Sequence, residues 1–193
     1  MQTLNRLCPS LAPAKQAGGH PPCPGRRSLP LPQAAWVDAR KAKSLLSNVL
    51  NAWHQDTGGA YAEAAAIPSL AAIRHQFWLA DCGHHPPPML AAAIWPDGRT
   101  AGLLAGWPRH ALRDFFITGV ALHPSLDPAS SEGLRTAETL LECAMDASLG
   151  AGCGGWLACL AGPDDAWWEA LGFSPDDPFT LRRLGYFQRS PLQ

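Results

Sequence analysis

Cys82, His84 and His85 crowd together within four residues, the one place in the chain where three thiol and imidazole ligands cluster. Such a group suits half of a zinc site, yet no second ligand pair follows at a zinc-like interval, and Pro86, Pro87 and Pro88 close the segment, so it reads as a solvated loop. The other cysteines, Cys8, Cys23, Cys143, Cys153 and Cys159, show no paired rhythm. In a chain of this size they read as reduced thiols, which fits a cytoplasmic protein. Eight tryptophans offer stacking surface for a ring-bearing ligand, although most aromatic side chains of a globular domain serve as buried area.

Charge is unevenly placed. The chain of 193 residues carries a formal net charge of -1, but its first 37 residues hold Arg6, Lys15, Arg26 and Arg27 and no acid, leaving 16 acids against 11 bases in the rest. An acidic body speaks against a nucleic-acid surface, which needs clustered Lys and Arg, and suits a cationic partner better. No run approaches the ~20 apolar residues of a membrane span. The length fits one domain with additions, and 19 Pro and 18 Gly exclude a coiled coil or a long helical bundle.

Residues 1–34 contain seven prolines, no aromatic residue and no acid, and show no periodicity. They read as a disordered basic tail, with the folded domain spanning 35–193. Leu45, Leu46, Val49, Leu50 and Trp53 then mark one face of an amphipathic helix. Pro68-Ser69 starts a second helix with Leu70, Ile73 and Phe77 on one face. Two apolar runs flank Pro96-Asp97-Gly98-Arg99, which predicts a hairpin over Met89 to Trp107. Asp114 to Pro124 is rich in aromatic and β-branched residues and forms the next strand. Leu134, Ala137, Leu141 and Ala144 keep helical spacing up to a stop at Gly150. A buried strand over Gly155 to Ala161, a short helix closed by Gly172 and a last strand from Thr180 complete the order ααβββαβαβ.

That order, with three strings, resembles the GNAT superfamily of N-acetyltransferases over residues 35–187. ITGVALHP (Ile117–Pro124) is similar to the family's central strand, GLRTAETLLECAMDASLGAGCGGWLACLA (Gly133–Ala161) to its pyrophosphate turn, helix and next strand, and AWWEALGF (Ala166–Phe173) to its C-terminal aromatic segment. The resemblance implies an α/β (α+β) fold: a mixed, mostly antiparallel central sheet flanked by helices, with splayed central strands. It also implies acetyl-CoA as co-substrate and an amine acceptor, either a cationic small molecule or a protein amino group. Gly133, Leu134, Arg135, Thr136 and Ala137 would then open the helix whose N–H groups and dipole attract the pyrophosphate. Val120, Ala121 and Leu122 would supply the open strand edge that accepts the pantetheine arm.

Several positions depart from the family pattern. The loop from Pro124 to Gly133 is long, Ser130 stands where Arg or Gln is usual, Arg135 replaces a small residue, and Asp127 and Glu132 add negative charge. Thr118 occupies the place of a strand glutamate and Trp168 that of a tyrosine, and neither side chain does ordinary acid–base work near neutral pH. Asp114, four residues before Thr118 and on the same face by alternation, is the substitute base. His123 is a second titratable candidate on the loop side, Tyr186 a candidate acid, and Trp167 with Trp168 are core and cofactor-wall aromatics. Asp81, Asp164 and Asp165 either attract a cationic amine or cap helices. The expected activity is acetyl transfer to an amine by direct attack; the alternative is a catalytically degenerate relative that senses acyl-CoA or serves as an interaction module. No element advertises a self-complementary edge, which leaves the oligomeric state open.

Overall fold

The computed structural model describes residues 31–56, 66–162 and 165–183. Its order is β1 (Gln33–Trp36), α1 (Ala39–Asp56), α2 (Ala66–Asp81), β2 (Met89–Ile94), β3 (Thr100–Arg109), β4 (Asp114–Leu122), α3 (Ser131–Gly150), β5 (Leu157–Leu160), α4 (Asp165–Ala170), β6 (Ser174–Asp177) and β7 (Thr180–Arg183). Every element expected from the sequence is present, and two strands, β1 and β6, are added. The sheet begins at Gln33, two residues inside the segment read as tail. Residues 1–30, Asp164 and Tyr186 lie outside the described residues.

The hydrophobic patterning explains why these segments assemble. Ala42, Leu46, Val49 and Trp53 of α1 recur every three or four residues and are buried. Asp38 starts that helix, its Oδ1 accepting from Arg40 N–H at 2.8 Å. The β2–β3 turn closes where Asp97-Gly98 stands: Gly98 takes φ +87°, and Asp97 accepts from the backbone and the guanidinium of Arg99. Those contacts hold the Asp97 carboxyl below its ordinary pKa, the Arg99 backbone N–H contributing most. Helix α3 opens on Ser130, an extended residue whose Oγ accepts from Gly133 N–H.

The seven strands lie in the order β1-β2-β3-β4-β5-β7-β6, all neighbours antiparallel except β4 and β5. Side chains leave the sheet on two faces. Leu104, Phe115, Ile117 and Leu122 pack with Leu140, Leu141 and Ala144 of α3 in one core. Leu103, Ala105 and Ala121 pack with Leu46, Trp53, Leu70 and Ile73 of α1 and α2 in another.

Two irregularities of β4 shape the middle of the sheet. Against β3, Gly119 pairs with Ala105 and Ile117 with Gly106, so Thr118 is an extra, bulged residue. Gly106 belongs there because a Cβ on it would come within 2.3 Å of Phe116 O. Against β5, the parallel ladder runs only through Phe115–Leu157, Phe116–Ala158 and Ile117–Cys159. Beyond the bulge the two strands part, and this is the splay that the sequence resemblance leads one to expect.

Candidate active site

The space opened between β4 and β5 is a cavity of about 640 Å³. Ile117, Thr118, Val120 and Leu122 form its β4 side, and Cys159, Leu160 and Ala161 its β5 side. Ser69 and Ala72 of α2 reach it from one end, and Asp127, Pro128 and Ala129 of the loop before α3 from the other. Trp167 and Trp168 of α4 complete the enclosure, their rings edge-to-face at 4.9 Å.

The loop is held by its own hydrogen bonds. Asp127 Oδ1 accepts from Ala129 N–H at 3.0 Å, Ser130 Oγ donates to Asp127 O at 2.6 Å, and Trp167 Nε1–H donates to Pro128 O at 3.0 Å. Gly133 packs under that loop so closely that a Cβ on it would lie 2.2 Å from Asp127 O. Glycine here is a steric necessity.

Of the expected cofactor-binding residues, Val120 and Leu122 line the cavity, whereas Ala121 turns to the opposite core. Gly133, Leu134, Arg135, Thr136 and Ala137 form the first turns of α3 but are not in the cavity wall. Thr136 and Ala137 are fully buried, Thr136 Oγ1 donating to Glu132 O, and Arg135 is exposed. The stretch that fronts the cavity lies earlier, at Asp127–Ala129, and the first turn spends its Gly133 N–H on Ser130.

Of the expected catalytic residues, Thr118 and Trp168 share the cavity and Asp114 does not. Thr118 Oγ1–H donates to Ala105 O at 3.1 Å, across the bulge it creates. Trp168 packs edge-to-face on Phe173 as well as on Trp167. Asp114 is 0% exposed: Oδ1 accepts from Arg109 Nε at 2.8 Å, and Oδ2 accepts from Arg109 Nη2 at 2.8 Å and Arg182 Nη2 at 3.0 Å. Both oxygens are engaged by guanidiniums and Asp114 is not among the residues that line the cavity, so its geometry is that of a buried ion pair.

His123 is likewise committed elsewhere. Its ring is buried between Trp53 and Trp95, with Nδ1 accepting from Ser125 N–H at 3.1 Å and Nε2–H donating to Asp56 Oδ2 at 3.0 Å. Cys159 does face the cavity, but burial pushes its thiol up to about 12, which keeps it protonated and unreactive near neutral pH. Cys82 and His84 are exposed while His85 turns inward, its Nδ1–H donating to Pro86 O and its ring lying 5.0 Å from Trp107. Among the described residues no three His, Cys, Asp or Glu side chains come together to hold a metal ion. Asp81 pairs with Lys43, and Asp165 Oδ1 accepts from Gly162 N–H at the start of α4.

Sequence reasoning missed Ser69, Ala72 and the Asp127–Ala129 stretch. Nothing local in α2 announces that its first turns reach the strand bulge, although a proline-interrupted loop before a helix is a signal that ligand contacts lie there.

The topology is an open and mostly antiparallel sheet whose one parallel pair parts after a bulge. Solved structures with a similar arrangement include a proposed acetyltransferase from an Exiguobacterium species, 17% identical, covering 78% of this chain and 91% of that one with a TM-score of 0.47. They also include a GNAT-family acetyltransferase from Staphylococcus aureus, 9% identical over 78% and 97% of the chains with a TM-score of 0.44. A third is a proposed acyl-CoA N-acyltransferase from Klebsiella pneumoniae, 15% identical over 79% and 96% with a TM-score of 0.46. No family model and no curated protein matches the chain. No helix among the described residues is long and apolar enough to cross a membrane.

Proposed function

We propose that the chain transfers an acetyl group from acetyl-CoA to an amine. The observation that carries this reading is the parting of β4 and β5 after the Ile117–Cys159 pair, with an apolar cavity in the gap. Backbone groups on the parted edge at Val120 to Leu122 lack a β5 partner, and an extended amide-bearing arm such as pantetheine satisfies such groups as an added strand would. The thioester then lies near Thr118, where the strands fork. There the neutral amine nitrogen attacks the carbonyl carbon, the C–S bond breaks, and the proton that the nitrogen gives up passes to the departing CoA thiolate. Trp168 closes the cavity and excludes water, and Thr118 Oγ orients the incoming amine as a hydrogen-bond acceptor. At the phosphate end the contacts fall to the Asp127–Ala129 backbone, the start of α3 and exposed Arg135.

One observation favours a second reading, an acyl-CoA sensor without catalysis. Ser130 already caps Gly133 N–H, and Asp127 and Glu132 place negative charge beside the anion site, which weakens pyrophosphate binding. Titration with acetyl-CoA by calorimetry, followed by thiol release with a panel of amines, separates the two. Binding with release supports the transferase, binding without release supports the sensor, and no binding at millimolar acetyl-CoA removes both.

A further inference from the structure

We propose that a second cavity, between α1, α2 and the start of β2, binds a free α-amino acid with an aromatic side chain, at a site separate from the β4–β5 fork. The cavity measures about 460 Å³, room enough for one small molecule. Its walls come from two continuous described stretches, 36–43 and 77–90, and it shares no described lining residue with the fork cavity. Helix α2 spans the distance between the two. Ser69 and Ala72 face the fork, while Phe77 and Asp81 face this cavity, Asp81 standing about 13 Å beyond Ala72 along the helix axis.

The lining is mostly apolar and rich in rings. Trp36 packs on Phe115 at 5.8 Å and Phe77 belongs to the core beneath α1 and α2, so both rings are fixed before a ligand arrives. Pro87 and Pro88 close the side where the chain enters β2. A planar ring inserted there exchanges water for contact with other rings, and its burial supplies the apolar part of the affinity.

The rim supplies the polar part. Lys43 Nζ of α1 donates to Asp81 Oδ1 of α2, 38 positions further on, and these are the two charged side chains in the described lining. Their side chains are 59% and 53% exposed, and an ion pair so exposed contributes little, so its partners are shared at small cost. An α-amino acid carries its ammonium and its carboxylate on one carbon, which holds the two charges as neighbours, as the rim does. Set antiparallel to the rim pair, its carboxylate meets Lys43 and its ammonium meets Asp81, and each of the four charges gains a second opposite neighbour. A simple carboxylate or a simple amine instead brings a like charge up to Asp81 or Lys43. The side chain, on that same carbon, enters the apolar interior.

The test is a calorimetric titration of the full chain with L-phenylalanine and without acetyl-CoA, so its outcome does not depend on the acetyl-transfer reading. The expected result is saturable binding with a Kd below about 1 mM, and binding about fivefold or more weaker for N-acetyl-L-phenylalanine, L-phenylalaninamide and L-leucine. Lys43→Gln and Asp81→Asn, both at exposed side chains, should weaken phenylalanine binding to a similar degree and leave the urea midpoint in place. Ala39→Trp, which fills the cavity from an exposed position, should abolish it. No saturable heat at about 10 mM phenylalanine overturns the inference. So does equal binding of either capped derivative, because the rim charges then play no part, or of leucine, because the rings then play none. Phenylalanine binding that survives Lys43→Gln, Asp81→Asn and Ala39→Trp alike puts the ligand elsewhere and overturns it too.

Discussion

Asp56 Oδ2 lies 3.0 Å from His123 Nε2, joining the last residue of α1 to the first residue after β4, 67 positions along the chain. The opposite ring nitrogen accepts from Ser125, so one imidazole ties α1 to the turn that leads into the cavity loop. Asp56→Ala removes the acceptor and leaves a buried N–H unpaired, with an expected loss of about 1 kcal/mol in urea unfolding. Asp56→Asn, which keeps an acceptor oxygen, should restore most of it. A calorimetric acetyl-CoA titration should show the same order, weaker for alanine and near wild type for asparagine.

Asp114→Asn tests the structural role directly. One charge is lost where two guanidiniums converge on a fully buried carboxylate, and the expected cost is about 3–5 kcal/mol, read as a large fall in the urea midpoint. Whatever activity the folded variant retains should keep the wild-type pH profile. A variant of normal stability with its pH profile lost would mean that Asp114 is the base after all.

Trp167→Phe keeps the aromatic volume but deletes the donor to Pro128 O, releasing the loop from α4. The expected result is a stability loss of about 1 kcal/mol and an acetyl-CoA KM several-fold higher with a smaller change in kcat. A fall in kcat alone would place the indole N–H in the chemical step.

Cys159 gives an alkaline signature. Its folded pKa is raised from 9.0 to about 12, so the folded state holds the proton more tightly than the unfolded chain does. The stabilisation is fully present below pH 9 and is lost between pH 9 and 12, with a slope of at most about 1.4 kcal/mol per pH unit. Urea unfolding at pH 8.5, 9.5 and 10.5 should show the decline, and Cys159→Ala should flatten it.

How far the sequence reveals the fold depends on whether the signal is local. The Asp97-Gly98 turn, the aromatic and β-branched run of β4 and the periodic face of α3 each carry their own patterning, and each forms where expected. Strand β1 is four residues long, and β6, Ser174 to Asp177, is wholly exposed and contains a proline. Those two are strands because β2 and β7 pair with them, a fact that their own residues do not advertise. The site divides the same way. The Trp167-Trp168 doublet is legible as cavity wall, but the partners that occupy Asp114 include Arg182, 68 positions away, so spacing alone makes that carboxylate look available.

The bulge at Thr118 carries a last consequence, which is a matter of counting. Nine residues of β4 span the length of eight in β3, so β4 is the longer arc of the pair and must bow. On the other side of β4 the ladder to β5 ends at Ile117–Cys159, the pair just before the bulge. The surplus residue thus sits where the cleft opens, between the last β4 residue paired with β5 and the cavity-lining Val120 and Leu122. Deleting Thr118 would equalise the two lengths and shift Gly119 to Leu122 by one place relative to β5, so a changed cavity wall and weaker acetyl-CoA binding are the expected outcome.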